Sequence, residues 1–179
     1  MDAPNEIPTE RLRLRRSRPE DAEEISIYRS HPEVHIHQGW DRTDPDGIRA
    51  EIEEMLGRAP GEPGGWVQFT VFERESGRLV GDVGISPADG EPSVFKIGYT
   101  IAPAFQGMGY ATEAAGALVD LAFDGLGAEI VRAYADAENT PSIRVMEKLG
   151  LELIERFEGH DEDGHWTGVR YERRRPAER

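Results

Sequence analysis

The chain has 179 residues, a length that favours a single domain over residues 1–179 with a hydrophobic core large enough to need no metal or disulfide. It contains no cysteine, which excludes disulfides, thiolate zinc sites, iron–sulfur clusters and a cysteine nucleophile, and we predict no metal site. A net charge of −14 argues against nucleic acid or an anionic membrane as partner and favours cationic molecules, although a purely solubilising surface explains it equally well.

The first third of the chain predicts one strand and two helices. Leu12 and Leu14 alternate with arginines, as in a half-buried strand over residues 11–16. Pro19 opens a helix, and residues 31–43 look irregular. Apolar residues then recur at the spacing of an amphipathic helix, and this stripe consists of Ile48, Ile52, Met55 and Leu56.

The remaining two thirds predict six further strands and two helices. The strands cover residues 66–72, 79–85, 94–101, 130–135, 151–157 and 166–171. Helices cover residues 111–123 and 141–149, each followed by glycine. This order predicts a mixed α/β fold with helices on both faces of one sheet. No apolar stretch reaches the length of a membrane span and no secretory leader is apparent, which favours a cytoplasmic protein.

A glycine-rich connection between a strand and a helix is the most informative segment. Gly107 and Gly109 allow a tight turn in which several backbone N–H groups converge, and the helix start adds unpaired donors. Such a turn binds a phosphate or diphosphate. It is not a Walker loop, because lysine is absent, and position 112 is threonine where a dinucleotide fingerprint has glycine. The alternative is that the glycines only serve the turn.

A second informative segment begins the last predicted helix. Asn139 suits the helix cap and Pro141 the first turn, while Ser142 follows in that turn. Arg144 and Lys148 are four residues apart and share one face. The alternative is that Asn139 is only a cap and that the two basic residues are only solvated charges.

Together these segments resemble the GNAT acyltransferase superfamily. Gln106-Gly107-Met108-Gly109-Tyr110-Ala111 is similar to its acyl-CoA diphosphate motif, and Ile97-Gly98-Tyr99 and Asn139-x-x-Ser142 are similar to segments of one branch. That branch holds ribosomal-protein N-terminal, polyamine and some aminoglycoside acetyltransferases. The resemblance implies a mostly antiparallel seven-stranded sheet that splays apart between its fourth and fifth strands.

The resemblance also implies acetyl-CoA as co-substrate and direct transfer of its acetyl group to a primary amine. A backbone N–H near Ile101 would polarise the thioester carbonyl. Ser142, with Asn139 beside it, matches the position that protonates the leaving thiolate. The implied cofactor-binding residues are Thr100, Ile101, Ala102, Gln106, Gly107, Met108, Gly109, Tyr110, Ala111, Thr112, Asn139, Ser142 and Arg144.

The acceptor side is less defined. The candidates for acceptor binding are His37, Trp40, Asp82 and Glu155, with His35 also considered as a base. Lys96 replaces a glutamate that many relatives carry, so the base is not identified. The charge favours an aminoglycoside or polyamine, and a protein N-terminus stays open. The alternative functions are a non-catalytic acyl-CoA sensor and a general nucleotide-binding protein. The sequence leaves open whether the protein forms a homodimer.

Overall fold

The computed structural model describes residues 4–38, 40, 42–161 and 164–177. The strands are β1 (Glu6–Pro8), β2 (Leu12–Arg16), β3 (Val67–Glu73), β4 (Leu79–Ala88), β5 (Glu91–Ile101), β6 (Ile130–Asp136), β7 (Glu152–Asp161) and β8 (Gly164–Arg174). The α-helices are α1 (Ala22–Arg29), α2 (Pro32–His35), α3 (Pro45–Met55), α4 (Tyr110–Asp120) and α5 (Thr140–Lys148). None of these helices is long and apolar enough to cross a membrane.

The strands form one sheet in the order β1-β2-β3-β4-β5-β6-β8-β7, antiparallel except for the β5–β6 pair. The predicted mixed α/β fold with a mostly antiparallel sheet is confirmed. The structure adds one strand to the seven predicted, namely β1, in which Ile7 pairs with Leu14 of β2. It is three residues long and ends in proline, so it carries no alternating pattern from which a strand could be inferred.

Helices cover both faces of the sheet, as predicted. On one face, Leu118 of α4 and Met146 of α5 are buried with Phe69 of β3. On the other face, Ile25 of α1 is buried with Ile48 of α3. The amphipathic stripe of α3 is shorter than predicted, because the helix ends at Met55 and Leu56 is exposed. The segment expected to be irregular contains the short helix α2, which starts at Pro32.

The sheet opens between β5 and β6. These strands pair only where Val94–Lys96 meets Ile130–Arg132, yet β5 continues to Ile101 and β6 to Asp136. We call the unpaired space between residues 97–101 and 133–136 the sheet opening. β5 and β6 are the fourth and fifth of the seven predicted strands, so this is the opening that the sequence analysis expected.

The closed end of the same strand pair is held by a buried arginine. Arg132 of β6 pairs through Nε with Glu172 of β8 at 2.7 Å and through Nη1 with Glu91 of β5 at 2.8 Å. Hydrogen bonding to Arg132 lowers the pKa of the Glu91 carboxyl below its ordinary value. One guanidinium therefore links three strands immediately beside the point where β5 and β6 part.

An aromatic ring covers a pair of glycines next to the opening. Gly84 of β4 and Gly98 of β5 are opposite each other, and the indole of Trp66 lies over both. A methyl group added at Gly84 would overlap this ring, whereas one added at Gly98 would lie 3.1 Å from it. The two glycines therefore provide the space that lets Trp66 lie flat on the sheet.

We expect Gly84→Ala to lower the free energy of unfolding by ~1–3 kcal/mol, because the new methyl group displaces Trp66. Gly98→Ala should cost less, since its methyl group meets the ring at a tight but tolerable distance. Urea denaturation of both variants measures the difference. In a Trp66→Leu background the cost of Gly84→Ala should shrink, and equal costs with and without the indole would contradict this account.

Candidate functional site

A cavity of about 480 Å³ lies at the sheet opening. Its walls come from α1, α3, β3, β4, β5 and β6, from the first turn of α5, and from the segment that follows α2. Tyr99 and Ser142 lie on one side, and Asp82, Trp40 and Trp66 also line the cavity. Elements far apart in the sequence therefore meet where the sheet is unpaired.

The glycine turn, residues Gln106–Gly109, leads from β5 into α4. Gly107 and Gly109 have φ angles of 75° and 81°, a left-handed conformation that favours glycine. The Gln106 amide donates to the Ile101 carbonyl oxygen at 3.0 Å and ties the turn to the end of β5. All four residues of the turn are exposed, and a Cβ at Gly107 would meet only open space.

The start of α4 offers backbone donors beside this turn. Gly109 is the N-cap and supplies no side-chain acceptor, so the N–H groups of the first helical turn are directed at whatever binds there. Ala111 and Thr112 are half-buried in that turn, while Met108 is exposed. Tyr110 is buried and its hydroxyl donates to Glu73, which anchors the helix start. This arrangement fits a diphosphate.

Arg11 fastens the glycine turn and was not singled out by sequence. Its Nη1 donates to the Met108 carbonyl oxygen at 2.8 Å, and its Nε pairs with Glu113 of α4 at 2.7 Å. Thr9 also donates to Glu113, at 2.6 Å. A Cβ at Gly109 would lie 3.3 Å from Nη2 of Arg11, so the guanidinium is next to the diphosphate-sized space. In the sequence Arg11 is one of several arginines of a predicted strand, and nothing distinguishes it from the others.

The end of β5 exposes backbone groups to the sheet opening. The Ala102 N–H donates to the Val80 carbonyl oxygen at 2.9 Å, so it faces β4. Because antiparallel partners alternate, Thr100 also bonds towards β4, where it pairs with Asp82, and Ile101 faces away. Of the three backbone positions expected to meet a cofactor, Ile101 is the one whose N–H is directed at the opening.

Ser142 is connected to both sides of the opening. Its backbone N–H donates to Asn139 Oδ1 at 3.2 Å, which makes Asn139 a helix cap that also lines the cavity. The Tyr99 hydroxyl is 2.8 Å from the Ser142 carbonyl oxygen, to which it donates, and 3.0 Å from Ser142 Oγ. Burial raises the pKa of Tyr99 to about 12, so this phenol keeps its proton near neutral pH.

Tyr99 is a functional candidate that sequence reasoning placed in a motif without giving it a role. With its proton directed at the Ser142 carbonyl, its oxygen accepts from the Ser142 hydroxyl. The pair bridges β5 and α5 across the opening. In contrast, Arg144 is exposed on α5 and does not line the cavity, and neighbouring Lys148 is exposed as well.

The predicted acceptor residues do not all come together. His37, Trp40 and Asp82 line the cavity. Glu155 does not line it, because it lies on β7 and pairs with Arg170 at 3.3 Å. His35 is exposed on α2. Lys96, which replaces the expected glutamate, pairs with Asp89 at 3.7 Å instead of facing the cavity.

Asp82 is a buried carboxylate in the cavity wall. Burial raises its pKa above the ordinary value, and Arg29 and a hydrogen bond from Tyr28 offset this only in part. Arg29 Nη2 is 3.9 Å from Asp82, and its Nη1 is 2.9 Å from Glu51. The sequence analysis gave no role to Tyr28 or Arg29, because their adjacent positions along the chain do not indicate that both side chains reach one carboxylate.

Trp40 already has a cationic partner within the chain. The Arg29 guanidinium lies 4.7 Å from the centre of its ring. A cation from within the chain therefore already stacks on Trp40, and the face of the ring that meets Arg29 is covered. His37 Nδ1 lies 3.7 Å from Asp136 at the end of β6. The segment after α2, which carries His37, therefore reaches the sheet opening.

Comparison with known proteins gives consistent matches. The sequence model of the acetyltransferase (GNAT) domain matches residues 11–152. The N-acetyltransferase p20 of Bacillus licheniformis, itself uncharacterized, is 30% identical over 144 residues, which are 80% of each chain. A crystal structure of a GNAT-family acetyltransferase from Bacillus anthracis has 27% identity and a TM-score of 0.83, covering 94% of this chain and 98% of that chain.

One solved structure shares the fold at lower identity. It is the RimL ribosomal L7/L12 α-N-protein acetyltransferase in complex with coenzyme A. It has 16% identity and a TM-score of 0.80, over 94% of this chain and 97% of that chain.

Gly109→Val should weaken binding of coenzyme A by roughly tenfold, about 1.4 kcal/mol, because the side chain strains the left-handed turn and enters the phosphate-sized space. Isothermal titration with coenzyme A measures this. Gly127→Val is the matched control: its φ is 73° and its Cβ meets open space beyond α4, so it carries a similar strain away from the turn. Equal losses of affinity in both variants would count against the turn as the binding site.

Proposed function

Because the chain belongs to the GNAT acetyltransferase family, we propose that it transfers the acetyl group of acetyl-CoA directly to a primary amine held in the cavity at the sheet opening. One observation carries the proposal. The sheet opening connects an exposed glycine turn, suited to a diphosphate, with a cavity lined by the paired hydroxyl groups of Tyr99 and Ser142 and the buried carboxylate of Asp82.

At the cofactor end, the chain supplies backbone donors and one guanidinium. The N–H groups at the start of α4 and Arg11 hold the diphosphate. The N–H of Ile101 polarises the carbonyl of the acetyl group from the open edge of β5. Bound acetyl-CoA supplies an activated thioester. No cysteine is present to carry the acetyl group, which agrees with direct transfer to the amine.

Ser142 is assigned to the proton transfer at sulfur. Its hydroxyl turns from Tyr99 to the sulfur and donates its proton as the carbon–sulfur bond breaks, and Ser142 Oγ takes up the proton that the newly acetylated nitrogen releases. Tyr99 holds Ser142 at the opening by donating to its carbonyl oxygen at 2.8 Å, and because the pKa of Tyr99 is about 12 this phenol stays protonated.

Asp82 is assigned to the amine. A buried carboxylate attracts an ammonium group, and its raised pKa makes it a better proton acceptor than an exposed aspartate. Among the described lining residues three are carboxylates, Asp82, Glu51 and Glu54, against two guanidinium groups, Arg29 and Arg58. This balance supports a cationic acceptor, either a small molecule such as an aminoglycoside or polyamine or a protein N-terminus. A non-catalytic acyl-CoA sensor is not favoured, because the proton-handling groups are assembled at the opening.

A panel of primary amines tests the proposed activity through release of the coenzyme A thiol. The panel includes spermidine, kanamycin and a short peptide with a free N-terminus. We expect at least one amine to increase thiol release above the rate of acetyl-CoA hydrolysis, and mass spectrometry to find one acetyl group on that amine. Tight binding of acetyl-CoA with no amine-dependent release across the panel would favour the sensor.

Ser142→Ala should lower kcat by about 10²-fold, because the proton donor at sulfur is lost, while affinity for coenzyme A changes little. The cap survives, since Asn139 binds the backbone N–H of residue 142. Tyr99→Phe should lower kcat by a smaller factor. Steady-state kinetics measures both. Thr140→Ala, at an exposed site in the same turn, is the control with unchanged kcat. Wild-type turnover in Ser142→Ala would reassign Ser142 to helix structure.

A further inference from the structure

Three buried side-chain nitrogens in the cavity wall have no hydrogen-bond partner among the described residues. One is Nδ1 of His37, which faces Asp136 at 3.7 Å. The other two are donors, Nε of Arg29 and Nε2 of Gln68. Only 3% of Arg29 and 5% of Gln68 is exposed. A buried donor left without an acceptor costs ~1–3 kcal/mol, so two together at one cavity point to a binding partner.

The contacts of the two residues fix which atoms are left over. Nη1 of Arg29 binds Glu51 at 2.9 Å, and Nη2 binds Gln68 Oε1 at 3.2 Å. Reversing the Gln68 amide would direct its NH₂ group at the guanidinium, donor against donor, so Nε2 must be the free end. The ring of Trp40 covers one face of Arg29. The donors left without a partner are thus Nε of Arg29 and Nε2 of Gln68.

These donors lie close to the carboxylate assigned to the amine. Gln68 pairs with Gly84 across β3 and β4, and Asp82 is two residues from Gly84. Gln68 and Asp82 are therefore diagonal neighbours on one face of the sheet, with Cα atoms roughly 7–8 Å apart. Arg29 contacts both side chains, at 3.2 Å and 3.9 Å. The two unpaired donors and the Asp82 carboxylate therefore belong to one small region of the cavity wall.

We propose that Arg29 and Gln68 form a subsite for a carbonyl oxygen of the acceptor, next to the amine that Asp82 receives. This inference rests on the proposed function and narrows its substrate class to amines that carry an adjacent carbonyl. A neutral carbonyl is favoured over a carboxylate, because Glu51 and Asp82 already surround the charge of Arg29. A plain polyamine has no oxygen to offer and is disfavoured.

The test compares three small amines on the wild-type protein: alaninamide, alanine and isopropylamine. The first carries a neutral carbonyl, the second a carboxylate and the third neither. We expect kcat/KM for alaninamide to exceed that for isopropylamine by at least tenfold, with alanine below alaninamide. A tripeptide beginning with alanine tells whether the carbonyl comes from a small amide or from a peptide N-terminus.

Two substitutions of Gln68 separate recognition from the different basicity of these amines. Gln68→Glu keeps an acceptor for Arg29 and removes the donor, and Gln68→Met removes both. Each should reduce the ratio of kcat/KM for alaninamide to that for isopropylamine by at least fivefold, because the donor of Gln68 is lost. The basicity of the two amines is the same for every protein, so it does not affect the comparison between wild type and variant. Gln38→Met removes another amide of the same cavity wall, but one that already donates to Thr100 at 3.4 Å. Whatever its effect on the individual rates, this variant should leave the ratio between the two amines unchanged.

Saturation-transfer NMR with the coenzyme A-loaded protein separates failure of the subsite from failure of the proposed function. Alaninamide binding in preference to isopropylamine without thiol release would support the subsite and overturn the transfer reaction. Transfer to both amines with the same ratio in the wild type and both Gln68 variants would overturn the subsite and leave the reaction standing. Absence of alaninamide binding would also overturn the subsite. If one Gln68 variant fails to fold, the other still gives the comparison between proteins in which the basicity of the amines cancels.

Discussion

The site depends on the early end of pairing between two parallel strands. After three paired positions, β5 and β6 separate. The N–H of Ile101 is then directed at the opening, while its carbonyl oxygen accepts from the Gln106 side chain. Unpaired backbone groups inside a sheet are costly unless something binds them. The ion pairs of Arg132 hold the other end closed, so the separation is confined to one end of the strands. A fixed gap of this kind is what an extended, hydrogen-bonding ligand needs.

The two ends of the site are stabilised in different ways. At the glycine turn, the positive φ angles hold the backbone in place and Arg11 fastens it to α4 through Glu113. In the cavity, the positions are set by side chains in contact: Tyr99 with Ser142, and Tyr28 and Arg29 with Asp82. The first end is suited to one invariable group, the diphosphate. The second is suited to selection among amines, because each contact there belongs to a replaceable side chain.

The sequence predicted most of the fold and the cofactor end of the site. Strand alternation at Leu12 and Leu14, and the glycines that follow the helices, are local signals, and the structure agrees with them. The acceptor end was predicted only in part. Asp82 faces the cavity, but Glu155 lies outside it on β7. The roles proposed for Arg11, Arg29 and Gln68 could not be predicted, because they rest on contacts between elements that are far apart along the chain.

Trp66 and the glycines beneath it have a consequence for how the protein diversifies. The indole occupies the volume that side chains at positions 84 and 98 would fill, so residues 66 and 84 are expected to covary among homologues. Trp66 lines the cavity, so a smaller residue at position 66 would enlarge it above Gly84 and Gly98. Evolution and protein engineering therefore have a cavity wall that can be remodelled without substituting Ser142 or Tyr99.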